Sequence, residues 1–170
     1  MGQMMKPAWF KPLLPAFLLA AGLITAHADL KVGDPLPDLA ACKLAGQLPD
    51  TLAGKVVLLD FWASWCDTCA ESFPLMDDLQ KKYGAGSFVI IAVNVDDSQS
   101  DMENFLKMHP VSFVTVRDAH QNLGDKVNVS ALPTSFLFGR DGKVAFIHGG
   151  FHGPESRQRY EQEISGLLKP

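Results

Sequence analysis

The chain has 170 residues, 47% of them hydrophobic and 20% charged, which are the values of an ordinary globular domain with length for one well-buried core. Its 15 basic and 19 acidic residues give a formal charge of −4. That balance supplies neither a basic patch for phosphate backbones nor a polybasic segment for anionic lipid, which excludes nucleic acid as a partner and points to proteins or small thiols.

Residues 1–28 differ from the rest. Lys6 and Lys11 form a positive head, Leu13 to Thr25 is apolar, and Ala26-His27-Ala28 puts small residues at the two positions a signal peptidase reads. The apolar run is shorter than the roughly 20 residues that cross a bilayer, so the stretch reads as a cleavable secretory signal that leaves Asp29 first. Uncleaved, it would anchor the protein to a membrane. Residues 29–170 then form one domain in the periplasm or another extracytoplasmic space.

That domain opens on the turn-rich Gly33-Asp34-Pro35-Leu36-Pro37-Asp38, and the alternation from Cys42 to Leu52 predicts an N-terminal β-hairpin. Lys55 to Phe61 is a continuous apolar run broken by one acid, Asp60, the pattern of a central strand buried on both faces. Leu75, Met76, Leu79 and Tyr83 recur at helical spacing, extended by Phe73, which predicts a helix over Asp67 to Tyr83 kinked at Pro74. Ser87 to Val95 reads as a second buried strand. A capping box of Ser100 and Glu103 opens a helix through Met102, Phe105 and Leu106, stopped by His109-Pro110. A third strand is expected over Val111 to Val116 and a short helix over Ala119 to Val127. Strands at Thr134 to Phe138 and Lys143 to His148 are joined by the turn Gly139-Arg140-Asp141-Gly142. Pro154 opens a closing helix whose apolar side is Tyr160, Ile164, Leu167 and Leu168. The order predicts an α/β fold with a central mixed sheet and helices on both faces.

Trp65-Cys66-Asp67-Thr68-Cys69 carries the chemistry. A dithiol that exchanges disulfides needs one ionised, accessible sulfur and a second close enough to displace the mixed disulfide. At a helix start, amides and the helix dipole lower a cysteine pKa from about 8.5 toward roughly 3.5–7.5, which makes Cys66 the attacker and the deeper Cys69 the resolver. Asp67 opposes thiolate formation by like charge and places Cys66 toward the upper part of that range.

The motif also occurs as half of a zinc site or as a structural disulfide. Zinc would need two more ligands at comparable spacing, whereas Cys42, His109, His120, His148 and His152 are scattered singly. A structural bridge over so short a loop constrains the unfolded chain little. The pair could also serve a Cu(I)-binding chaperone, which would want a third soft ligand that the sequence does not assign, or sit as an incidental disulfide in a binding-only domain.

Asp60 to Cys69, Ser72-Phe73-Pro74, Leu132-Pro133-Thr134 and Gly149-Gly150 together resemble the thioredoxin superfamily, and within it the exported TlpA-like and ResA-like thiol–disulfide oxidoreductases. The N-terminal hairpin and an inserted strand–helix unit near Met102 to Met108 fit that exported branch. The resemblance implies a thioredoxin-like fold with reversible exchange on cysteine-containing client proteins, more reducing than oxidising, for example in cytochrome c maturation. It implies electrons from a membrane dithiol donor, no bound cofactor beyond the Cys66–Cys69 pair, no metal, and a monomer.

The resemblance also implies site roles. Asp60 would be the base that deprotonates Cys69, and burial should raise its pKa. Pro133 would be cis and face the cysteines, although only about 5–6% of X-Pro bonds in folded proteins are cis. Trp65, Asp67, Thr68, Leu132, Thr134 and Gly150 would flank the substrate groove, with Trp65 over the attacking sulfur. Two departures are visible: Ala92 stands where thioredoxins often carry a lysine partner for the aspartate, and Ser72 stands where many relatives have an acid, leaving Glu71 shifted by one. Cys42 is expected to be buried in the hairpin, and His148 and His152 are the histidines nearest the groove.

Overall fold

The computed structural model describes Met1 and residues 29–169. The signal-peptide reading falls on residues outside that description. Among the described residues no helix is long and apolar enough to cross a membrane.

Five strands form one mixed sheet: β1 (Val56–Trp62), β2 (Phe88–Asn94), β3 (Val114–Arg117), β4 (Thr134–Phe138) and β5 (Val144–Gly149), in the order β3-β2-β1-β4-β5. The pairs β1/β2 and β2/β3 are parallel, and β1/β4 and β4/β5 antiparallel. All residues of β1 and β2 are buried, which is why both read as unbroken apolar runs. Edge strand β3 is half-buried and starts at Val114, later than its apolar pattern suggests.

One face carries α1 (Asp67–Tyr83), α2 (Gln99–Met108) and α4 (Pro154–Leu168), packed on Val56, Leu58, Trp62, Ile90, Ala92 and Leu137. At its centre Phe73 of α1 meets Trp62, Phe105 and Phe113 with ring centroids 4.8 to 5.4 Å apart, the spacing at which aromatic pairs attract. This cluster clamps the first turns of α1 against the end of β1. The opposite face, built on Val57, Leu59, Phe61, Ile91 and Phe136, is covered by α3 (Asn122–Val127) and the N-terminal segment.

That segment corrects the expected hairpin. Residues 42–52 do not pair with each other; a 3-10 turn at Ala40–Cys42 ends in Lys43 at φ 55°, and the backbone partners lie at opposite sheet edges. Pro35 bridges to Lys143 beside β5, and Ala45 bridges to Arg117 of β3 through two bonds of 2.8 Å. The alternating leucines serve a strap across the sheet face, burying Leu39 and Cys42 and protecting both exposed edges. Gly46 lets the strap cross β3 closely, since a Cβ there would lie 3.1 Å from the Thr115 carbonyl oxygen.

The capping box also needs correction. Ser98 is the N-cap of α2 without a side-chain cap bond, and its hydroxyl meets Ser100 at 2.7 Å, while Glu103 accepts from Gln99. Helix α3 begins only at Asn122, after Gln121 at φ 53°. Instead of a local cap, the Asp118 carboxylate accepts the Leu123 and Gly124 amides at 2.8 and 2.9 Å.

Candidate active site

The end of β1 leads into Ala63-Ser64-Trp65, a loop tied down from β2's side. Asp96, just past β2, accepts the Ser64 amide on both carboxylate oxygens at 3.0 and 3.2 Å, and Asn94 Nδ2 donates to it at 2.8 Å. Cys66 then occupies the N-cap of α1, its sulfur accepting the Cys69 amide at 3.2 Å. A side-chain acceptor at this position satisfies one of the orphan amides of the first helical turn, which here places sulfur where serine or aspartate normally sits.

Cys66 and Cys69 are joined in a disulfide with Cα atoms 5.2 Å apart. Their burial is unequal: Cys66 is 7% exposed and Cys69 0%. Thr68 presents its hydroxyl 3.6 Å from the Cys66 sulfur. Ser72 is buried, its hydroxyl donating to the Cys69 carbonyl at 2.8 Å, so the position that departs from the acidic pattern is used to cap the resolving turn. Glu71 is exposed.

The Leu132–Pro133 bond is cis, and the Pro133 carbonyl accepts the Gly150 amide at 2.8 Å, which brings the proline loop and the glycine after β5 together. Thr134 Oγ1 donates to the Ala131 carbonyl at 2.8 Å. Trp65, which precedes Cys66, is 70% exposed and, with Leu132, Val95, Val129 and Asp97, lines an open groove of about 500 Å³. It forms a wall of that groove. Asp67 is exposed at the helix start.

Asp60 is buried to 1% exposure. Burial pushes its carboxyl pKa up to about 7, against the lowering effect of one hydrogen bond, from Ser135 Oγ to Oδ1 at 2.6 Å. Its lateral partner on β2 is Ala92, which offers no polar group. Ser135 also meets the Tyr160 hydroxyl at 2.9 Å, and burial pushes the Tyr160 phenol up as well. His148, partner of Ser135 on β5, packs edge-on against the Tyr160 ring and meets Glu163 at 2.7 Å.

Sequence reasoning passed over Ser135, Tyr160, Asp96 and the hydroxyl of Thr68. A signal existed for Ser135, a buried polar residue among the otherwise apolar Phe136–Phe138 of the strand Thr134–Phe138. Cys42 is buried, with its sulfur against the Asp38 carbonyl at 3.3 Å, and burial raises its thiol pKa. It lies in the strap rather than in a hairpin. Among the described residues no group of three or more His, Cys, Asp and Glu side chains is placed to hold a metal ion.

Residues 54–144 match the family model described as thioredoxin-like. The chain belongs to the thioredoxin-like family. It is 32% identical over 152 residues to a thiol-disulfide oxidoreductase ResA of Bacillus cereus, an alignment that covers 88% of this chain and 87% of that one. Among solved structures it is similar to a Chlorobium tepidum protein assigned as the thiol:disulfide interchange protein DsbE, with 39% identity and a TM-score of 0.76 over 83% of this chain and 100% of that one. The pneumococcal exposed lipoprotein thioredoxin Etrx1 of Streptococcus pneumoniae shares 28% identity with a TM-score of 0.58, over 67% and 86% of the two chains. This thioredoxin-like protein is a ResA-like thiol–disulfide oxidoreductase.

Proposed function

We propose that Cys66 and Cys69 are the redox centre of a reductase for client-protein disulfides outside the cytoplasm. The observation that carries this reading is the asymmetry of the pair: the sulfur that accepts a helix N-terminal amide belongs to the less buried cysteine, at 7% exposure against 0% for its partner. In the reduced protein the Cys66 thiolate attacks a client disulfide, forming a mixed disulfide and releasing one client thiolate. Asp60 takes the proton of Cys69, whose sulfur then attacks Cys66 and expels the second client thiolate. Two electrons have passed to the client, and the Cys66–Cys69 disulfide is the oxidised product. A carboxyl with its pKa near 7 suits a base that must hold and release a proton near neutral pH.

The groove along Trp65 and Leu132 is assigned to the client segment, with Asp67, Thr68, Pro133, Thr134 and Gly150 at its margin. No bound cofactor is required, because the disulfide itself carries the electrons. Export rests on residues 1–28, with membrane anchoring if they are not removed, and accords with the "exposed" description of the pneumococcal relative. The reducing direction, a membrane dithiol electron donor, a monomeric state and a part in cytochrome c maturation rest on the resemblance to TlpA-like and ResA-like proteins.

Equilibration of the Cys66–Cys69 pair with a glutathione buffer tests the direction. A potential near about −270 mV is expected, and one near about −120 mV would make the protein an oxidant and overturn the reading. A Cys69→Ser variant should stall as a mixed disulfide and capture the client covalently.

A further inference from the structure

We propose that Ser135 and Tyr160 are positioning residues for Asp60, two hydroxyls in series that aim one carboxylate oxygen and set how readily the other takes a proton. This rests on the reading of Asp60 as the base for Cys69. The sheet register fixes the arrangement: Ala92, Asp60, Ser135 and His148 are lateral neighbours on β2, β1, β4 and β5. Only one of the two strands flanking Asp60 brings a hydrogen-bonding side chain, and the antiparallel ladder holds it in place. Tyr160 reaches the same point from α4.

A serine hydroxyl has one proton. With Asp60 ionised, that proton goes to Oδ1, so at Ser135 Oγ the Tyr160 hydroxyl must be the donor. The chain of donors runs from Tyr160 to Ser135 to Asp60, each bond strengthening the next. Oδ1 is thereby engaged, and Oδ2 is the oxygen assigned to the proton: Cys69 loses it as its sulfur attacks Cys66, and Asp60 becomes a neutral carboxylic acid. Hydroxyls suit this position because they can rotate when the carboxyl changes state, with no heavy atom moving, whereas an amide or ammonium donor would favour the ionised form alone.

The titratable and charged groups around Ser135 are Asp60 on β1, His148 on β5, and Arg159, Tyr160 and Glu163 on α4, and Cys69 of α1 belongs to the same side of the sheet as Tyr160. The hydrogen bond from Ser135, itself neutral, is what opposes the effect of burial on Asp60. Its removal therefore moves the carboxyl further toward the neutral form.

The test uses the reduced full chain and an aromatic disulfide, dithiobis(nitrobenzoate), with the second thionitrobenzoate release followed in stopped flow from acid to alkaline pH. That release reports the attack of Cys69 on the mixed disulfide. Ser135→Ala is expected to move the midpoint of the pH–rate profile up by about one to two units, and Tyr160→Phe by about half to one unit. In the Ser135→Ala background Tyr160→Phe should add nothing, because its hydroxyl acts only through Ser135. Ser135→Thr, which keeps a hydroxyl, should return the midpoint toward that of the wild type. Tyr160→Phe keeps the ring packing and tests the idea even if Ser135→Ala fails to fold. Unmoved midpoints in both Ser135→Ala and Tyr160→Phe would overturn the proposal while Asp60 remained the base. If Asp60→Asn itself left the profile unchanged, the reading of Asp60 as base would fall, and this proposal with it.

Discussion

Asp60 and Asp96 lie toward the same end of two adjacent parallel strands, and both are almost fully buried, at 1% and 3% exposure. Their partners differ in kind. Asp96 accepts a main-chain amide, from Ser64, and the side-chain amide of Asn94, which in turn accepts the Asp96 N–H at 3.1 Å. Asp60 has one hydroxyl. Nitrogen donors cannot turn round to accept, so Asp96 is locked as a strut that holds the loop in front of Cys66. A single rotatable donor does not offset the desolvation of Asp60, and its pKa rises to about 7. Two identical side chains, both almost fully buried, differ in what surrounds them, and that difference is what makes Asp96 a fixture and Asp60 the proposed proton carrier.

The largest effect should come from abolishing the carrier. Asp60→Asn is expected to slow resolution by about a hundredfold or more at neutral pH, the usual contribution of a positioned base. Stability should move the other way. The folded pKa of Asp60 lies above its unfolded value, so its stabilising share is complete below about pH 4 and is lost as pH rises through about 7. A shift from 3.8 to about 7 corresponds to about 4 kcal/mol, read as an order of magnitude. Denaturant unfolding of the oxidised protein should show Asp60→Asn gaining on the wild type between pH 4 and pH 8. A constant difference across that range would mean the carboxyl does not titrate there.

Removing the strut should cost less, and in stability at neutral pH. Asp96→Ala leaves the Ser64 amide without its acceptor and frees the loop before Cys66, at about 3 kcal/mol. Client reduction should fall with it, and hydrogen exchange at Ser64 should accelerate. If unfolding midpoints and exchange both stay put, Asp96 is not holding the loop.

How far each aspartate was legible follows from where its partners lie in the chain. An acid closing an apolar run marks Asp60 as buried, and the 3.6-residue stripe after Cys66 sets α1 from Asp67 to Tyr83. Ser135 is 75 residues away from Asp60, and the β1/β4 register that joins them is not written in either strand alone. Tyr160 reads from sequence as apolar helix surface because its ring does pack inward, and only the fold shows where its hydroxyl ends. The strap fails for the same reason: alternating leucines look alike whether a segment pairs with itself or, as Pro35 and Ala45 do, with two distant edges. Even the cis bond at Pro133 came from the resemblance, since proline in a loop before a strand is trans far more often than not.

The sulfur of Cys66 repeats the contrast in miniature, with one fixed donor and one that rotates. The Cys69 amide is held by the helix at 3.2 Å, while the Thr68 hydroxyl at 3.6 Å can point toward the sulfur or away. A thiolate would draw that hydroxyl proton and be stabilised relative to the thiol and to the disulfide, which tilts the pair toward its reduced form. Thr68→Val keeps the side chain's shape and removes the donor. The Cys66 pKa should then rise by about half a unit, since a weak sulfur bond is worth about 0.5–1 kcal/mol at most. The potential should become more negative by about 10–20 mV, because about 30 mV corresponds to 1.4 kcal/mol for two electrons. Thiolate absorbance titration and glutathione equilibria measure the two shifts separately. If both vanish, the fixed amide alone sets the reactivity of Cys66, and the rotatable donor matters only where, as at Asp60, a proton must come and go.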